Sequence, residues 1–323
     1  MDQNLVIKSL AKWPECHGAF VELINLSENH TFLITSPSGK KTILRVHRAG
    51  YHTKSAIYSE LNWMVALREQ ANLKTPRPIA GIDGQLIQIL KGGQQGNRFA
   101  IMFVFESGVE PKASEDLRAS FDQLGVLAAK CHAHAQDWTP PDGFSRLTWD
   151  KSGVLDKNAH WGDWRQAPNI STTDYETLEM GEKLLRTRLD EYGESRDRFG
   201  IIHADMRLAN LLIDAGEVKL IDFDDCGFGW FAYDFAAAIS FYEDSKQVPE
   251  LFTSWLRGYR QERDFSAQDI MMVNSMIMLR RFALLAWVGS HSETELADSM
   301  AKDFASVSAQ LASRYIKTGQ LVS

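Results

Sequence analysis

The 323-residue chain sets 35 lysines and arginines against 42 aspartates and glutamates, for a net charge of −7, and is 44% apolar. That length allows roughly two domains with full cores, and the acidic balance argues against a nucleic-acid partner, because phosphate backbones attract basic patches. No basic secretory start is present, the apolar stretch nearest to a membrane span (228–242) is short and holds Asp234, and Cys16, Cys131 and Cys226 are too few and scattered for a disulfide framework, so a cytoplasmic protein with no membrane association is expected.

The first hundred residues read as strands around one helix. β-rich runs cover 19–26, 30–36 and 41–48, and Pro37-Ser38-Gly39-Lys40 joins the second to the third as a hairpin turn. A helix over 55–70 follows, with Ile57, Leu61, Met64 and Val65 as its apolar stripe. Pro76 and Pro78 favour an extended connection after it. A second hairpin pairs 85–90 with 98–106 around a Gly-rich turn. Three strands, a helix and two strands make a small α+β lobe: a five-stranded antiparallel sheet covered by one helix.

The pattern changes after Phe105-Glu106-Ser107-Gly108. Residues 115–135 and 173–192 carry helical periodicity, with a Trp-rich, loop-like segment at 137–170 between them. Short strands at 211–213 and 218–221 flank the turn Asp214-Ala215-Gly216-Glu217, Cys226-Gly227-Phe228-Gly229 reads as another turn, and helix dominates from Ala232 onward. The expected division is a lobe of residues 1–106 and a larger, mostly helical lobe of 107–323.

Two stretches of the second lobe carry chemistry. His203-Ala204-Asp205 is followed five residues after Asp205 by Asn210, and Leu220-Ile221-Asp222-Phe223-Asp224 places a carboxylate at the end of an apolar strand. Asp205 alone reads as a turn-former; beside Asn210 and Asp222 it reads as the base that takes a hydroxyl's proton. Asn210 and Asp222 are hard oxygen donors suited to Mg²⁺ beside nucleotide phosphates, which takes few protein ligands. Arg207 offers a fixed positive charge for a transferring phosphoryl group, against the bland alternative of a solvent-facing arginine. His203 reads as a brace that hydrogen-bonds backbone near the second stretch.

In the first lobe, Arg45 lies mid-strand, an unusual place for an unpaired charge, and Glu60 flanks the stripe of the following helix. A strand cation oriented by a helix carboxylate is a recurring phosphate-binding device. The loop 25–30 has no glycine, so Ser27 or Asn29 side chains would supply phosphate donors in place of a backbone cradle, and Glu106 completes the nucleotide-binding candidates. Asp234 is expected to cap the next helix and tie it to the loop of Asp205. Cys131-His132-Ala133-His134 lacks the further partners a four-ligand zinc site needs. Trp138, Trp149, Trp161 and Trp164 are either a cage for a cationic substrate or the packing of a long insertion.

Together these residues resemble the aminoglycoside phosphotransferase and choline kinase superfamily. The resemblance rests on His203-x-Asp205 with Asn210, on Ile221-Asp222-Phe223-Asp224, on the run from Leu26 to Phe32, and on Leu44-Arg45-Val46-His47-Arg48. It implies a bilobal, protein-kinase-like fold, ATP and Mg²⁺ as cofactors, Asp205 as base, Asn210 and Asp222 as metal ligands, and Arg45 with Glu60 as the phosphate-orienting pair. Arg45 stands where that family usually has lysine, and Ala204 where it usually has glycine. The expected activity is transfer of a γ-phosphoryl group to a hydroxyl of a small molecule, with Asp224 and Asp225 favouring an amine-bearing acceptor. The alternatives are a Ser/Thr protein kinase and an inactive nucleotide-binding interaction protein.

Overall fold

The computed structural model describes residues 3–26, 29–91 and 96–322. They form two compact units, one of Met1–Ser107 with Pro140–Ser145 and one of Gly108–Thr139 with Arg146–Ser323.

The first unit contains α1 (Gln3–Ser9), β1 (Phe20–Leu26), β2 (Asn29–Thr35), β3 (Lys41–His47), α2 (Lys54–Gln70), β4 (Pro78–Ile79), β5 (Gln88–Lys91) and β6 (Asn97–Val104). The antiparallel sheet runs β1-β2-β3-β6-β4, with β5 also on β6. It has six strands where five were expected. Pro78 pairs opposite Phe103 in the added strand, which lies at the end of the strand order, where a residue without an N–H is tolerated. A further helix was also missed: α1 and the turns after it place Val6, Leu10, Trp13 and Cys16 in one core with Phe32, Ile34, Leu44, Val46 and Met102. Thr53 caps α2 by accepting a hydrogen bond from the Ala56 N–H at 3.1 Å. Its buried stripe is Ile57, Leu61, Met64 and Leu67, whereas Val65, expected in that stripe, is 36% exposed. Residues 140–145 belong here because Ser55 Oγ donates to the Gly143 carbonyl and the Ser145 N–H donates to Ser59 Oγ.

The second unit contains α3 (Arg118–Asp137), β7 (Leu147–Thr148), α4 (Lys151–Leu155), α5 (Thr172–Tyr192), β8 (Phe199–Ile202), β9 (Leu211–Asp214), β10 (Glu217–Leu220), β11 (Gly227–Trp230) and α6 (Tyr233–Ala238), then α7 (Val248–Tyr259), α8 (Ala267–Ser290), α9 (Glu295–Met300) and α10 (Phe304–Thr318). The expected turn at 226–229 is instead largely β11, the centre of a three-stranded sheet with β7 and β8. Its glycines suit a strand whose backbone is approached closely. Helices α3 and α7 press together through Gly125 and Gly258: a Cβ on either would fall 2.0 Å from the Trp255 carbonyl oxygen or 1.8 Å from that of Asp122.

Helix α8 is buried on nearly every face from Met272 to Val288. Of the described residues, only this helix has the length and apolarity to cross a membrane, rather than the stretch 228–242, and 89% of its apolar window is buried inside the protein. Cys16, Cys131 and Cys226 are free and buried.

Candidate active site

The chain leaves β8 and must turn at once, because Asp234 of α6 captures the next two amides. Its carboxylate accepts from the His203 N–H at 3.1 Å and the Ala204 N–H at 2.7 Å, and also from His132 Nε2 at 2.9 Å. His132 Nδ1 lies 2.9 Å from the Tyr259 hydroxyl. Burial pushes the His132 pKa down, so its ring is neutral and donates from Nε2. Asp234 therefore ties α6 to the loop as expected, but it does not cap the helix: the N-cap is Ala232, with no side-chain bond. The captured turn puts Ala204 at φ 66°, a left-handed backbone that costs an alanine about 1 kcal/mol more than a glycine.

The backbone of one residue, Ile221, then gathers the other parts. The Ile221 N–H donates to the Asn210 carbonyl at 2.9 Å, and the Ile221 carbonyl accepts from His203 Nε2 at 3.2 Å. His203 is thus the backbone brace the sequence suggested. Its pKa is lowered, chiefly by burial, so it is neutral, with Nδ1 accepting from the Asp205 N–H at 3.3 Å. Pinning Ile221 on both sides brings Asp222 beside the loop of Asp205. Asp222 is itself left-handed, at φ 59°, and its Oδ1 accepts from the Asp224 N–H at 3.4 Å.

Asp205 is 8% exposed. Its Oδ2 accepts from Asn210 Nδ2 at 2.6 Å and Arg207 Nε at 3.1 Å, and its Oδ1 accepts from Arg280 Nη2 at 2.6 Å. Burial pushes the carboxyl pKa up, but the guanidinium charges of Arg207 and Arg280 outweigh it and hold the group below its ordinary value. It is an ionised acceptor at neutral pH. Asn210 spends its Nδ2 hydrogens on the carboxylate and carbonyl of Asp205, which leaves Oδ1 as its oxygen donor. Arg207, expected to face a transferring phosphoryl group, pairs with Asp205, Nε to Oδ2 at 3.1 Å.

In the first unit, Arg45 and Glu60 form the anticipated pair. Arg45 Nη2 donates to both carboxylate oxygens at 2.6 and 2.7 Å, and its guanidinium lies 5.2 Å from the centre of the Phe103 ring. Arg45 is 5% exposed and Glu60 fully buried. Asn29 is not in a connecting loop: it is the buried first residue of β2, opposite His47. Ser27 lies outside the described residues. Glu106 is half-buried just past β6, where its charge acts on Arg68.

Residues 21–266 match the phosphotransferase enzyme family known as APH. The chain belongs to this family. The amicoumacin kinase of Bacillus subtilis is 20% identical over 252 residues, covering 75% of this chain and 72% of its own. The homoserine kinase of Neisseria meningitidis is 27% identical over 264 residues, covering 78% and 77%. A solved microcompartment-associated aminopropanol kinase is 37% identical with a TM-score of 0.92, covering 99% of this chain and 100% of that one. An amicoumacin kinase solved with AMP-PNP, Ca²⁺ and Ami has a TM-score of 0.78 at 19% identity, over 99% and 95%. The protein is a small-molecule kinase with an alcohol group as acceptor and a protein-kinase-like fold.

In this phosphotransferase the Trp-rich segment is packing. Trp149 and Trp164 are 1% and 0% exposed, Trp149 meets Trp161 edge-on at 4.9 Å, and Trp164 Nε1 donates to Glu182. A cation does lie over Trp161, but it is the kinase's own Arg280, at 5.3 Å. Sequence reasoning missed Arg280. Its signal was available: Arg280-Arg281 interrupts the apolar run of α8, and buried charges need partners. Arg281 finds Glu243 at 2.6 Å and Ser308 at 2.8 Å.

Proposed function

We propose that this kinase uses ATP with Mg²⁺ to phosphorylate the hydroxyl of a small amino alcohol of the aminopropanol type. The observation that carries this reading is the backbone of Ile221, the residue before Asp222, whose N–H donates to the Asn210 carbonyl and whose carbonyl accepts from His203 of the loop that holds the ionised Asp205. An amide oxygen and a carboxylate are the hard donors Mg²⁺ takes, so the residues present fit the ion; Asn210 Oδ1 and Asp222 would hold it. When bound, Mg²⁺ neutralises charge on the nucleotide phosphates. Arg45, fixed by Glu60, is the candidate cation for those phosphates in the first unit.

In the transfer the acceptor oxygen bonds to the γ-phosphorus as the bond to the bridging oxygen breaks. ADP leaves, and the hydroxyl proton passes to Asp205. The amino-alcohol class is supported by the likeness to the aminopropanol kinase and by Asp224 and Asp225, the two carboxylate residues that follow closely on Asp222. Asp224 and Asp225 are 5% and 8% exposed, and both lend backbone carbonyls to donors of the segment 146–149, namely Arg146 and Trp149.

Coupled ADP release would be measured with 1-amino-2-propanol, homoserine, an aminoglycoside and 1,2-propanediol. The expected result is turnover highest with the amino alcohol and lower by at least about tenfold, on the order of 1.4 kcal/mol, with the uncharged diol. Equal kcat/KM for the diol would contradict an amine-selecting site.

A further inference from the structure

Arg280 is 1% exposed, yet it is charged, and each of its three nitrogens has a separate acceptor. Nη2 donates to Asp205 Oδ1 at 2.6 Å, Nη1 to the Ala204 carbonyl at 3.2 Å and Nε to Ser240 Oγ at 2.9 Å. Trp161 and Tyr233 cover the guanidinium, with ring centres 5.3 and 5.9 Å away. The planar fork thus fastens both the carboxylate of the base and the strained peptide before it to a helix that is buried along its length. Its neighbour Arg281 anchors the same helix to Glu243, Ser308 and the Phe304 carbonyl.

The donor pattern on Asp205 sharpens the point. A carboxylate has about four lone-pair positions. Asn210 and Arg207 take two on Oδ2, and Arg280 takes one on Oδ1. The position left over lies on Oδ1, the oxygen Arg280 holds.

We propose that Arg280 is a positioning residue for phosphoryl transfer: it fixes Asp205 so that Oδ1 is the atom that receives the acceptor's proton. This rests on the amino-alcohol kinase reading above. Arg280 touches neither substrate in this scheme; it acts through Asp205. Removing it should therefore impair turnover while leaving substrate binding in place.

The experiment compares wild type, Arg280→Met and Arg280→Lys in steady-state kinetics with Mg²⁺-ATP and 1-amino-2-propanol, with the nucleotide-induced thermal shift followed in parallel. Arg280→Met should lose about 100-fold in kcat, the scale of a small misplacement of a catalytic group, while both KM values change by less than about threefold and the nucleotide shift persists. Arg280→Lys, one point charge in place of a three-pronged fork, should recover roughly tenfold of that loss. An unchanged kcat in Arg280→Met would overturn the inference. So would a KM for the alcohol that rises in step with the loss, which would make Arg280 a substrate contact, or loss of the nucleotide shift in both variants, which would make it a structural strut.

Equilibrium unfolding of Arg280→Met, Asp205→Asn and the double variant needs no acceptor. Non-additivity of at least about tenfold in the unfolding constant is expected, and additivity would overturn the pairing on which the inference stands. If wild type transfers phosphate to none of the alcohols but shows this coupling, the amino-alcohol reading fails while the Arg280–Asp205 pairing stands.

Discussion

Replacing Asp205 with asparagine should lower kcat by 10²- to 10⁴-fold, on the order expected for loss of a general base. The effect should not be confined to catalysis. Oδ2 of Asp205 accepts from Asn210 and Arg207, and Oδ1 accepts from Arg280. Each of these partners is a donor, so neither orientation of an asparagine amide satisfies them: its NH₂ group must face Arg280 on one side or Asn210 and Arg207 on the other. Arg280 also cannot shed its proton, and at 1% exposure it would lose the carboxylate to which it is hydrogen-bonded. Breaking such a pair costs about 3 kcal/mol. Thermal denaturation and initial-rate kinetics on one preparation separate the two effects. Wild-type turnover in Asp205→Asn would remove the base from the scheme; wild-type stability would remove the charge pairing.

Glu60→Gln should be the most damaging single change in the first unit. One Arg45 nitrogen donates to both carboxylate oxygens at 2.6 and 2.7 Å, so an amide of the same shape turns one of those contacts into donor against donor. Arg45 stays charged and is 5% exposed. The expected cost is again about 3 kcal/mol of stability, read as a lower urea midpoint at an unchanged slope. Where the variant is folded, KM for ATP should rise more than kcat falls, because under the proposed function the guanidinium assigned to the phosphates has lost its fixed orientation. A midpoint equal to wild type would show that the pair is dispensable to the unit, and an unchanged KM for ATP that it does not serve the nucleotide.

The parts of the site that were legible in the sequence are those the chain brings together locally. Asp205, Asn210 and Asp222 lie within one strand–loop–hairpin segment, so spacing and residue type sufficed, and His203 could be assigned to the backbone beside Asp222 for the same reason. Arg45 was legible because a mid-strand arginine demands a partner and the next helix supplied Glu60. Arg280 was not, since 75 residues separate it from Asp205 and no local period links α8 to the loop. Only the anomaly of two arginines inside an apolar helix pointed to it.

The errors in the fold have similar physical roots. Proline and glycine were read as local breakers, yet Pro78 closes the end of a sheet and Gly227 and Gly229 let β11 lie close to its neighbours. Ala204 stands where the resembled family usually has glycine. The structure shows that its residue type matters: the turn there is left-handed, and Asp234 holds it with two hydrogen bonds.

The account stands on one proposed arrangement: Asn210 and Asp222 as metal ligands beside an ionised Asp205, held by the backbone of Ile221. The most direct test follows phosphoryl transfer from labelled ATP to 1-amino-2-propanol as Mg²⁺ is titrated, in wild type and in Asp222→Asn. Wild type should form the phosphate monoester with saturable dependence on Mg²⁺, and Asp222→Asn should need at least about tenfold more Mg²⁺ or form no product, as loss of a charged ligand to a hard cation requires. The same Mg²⁺ dependence in both proteins would contradict the arrangement.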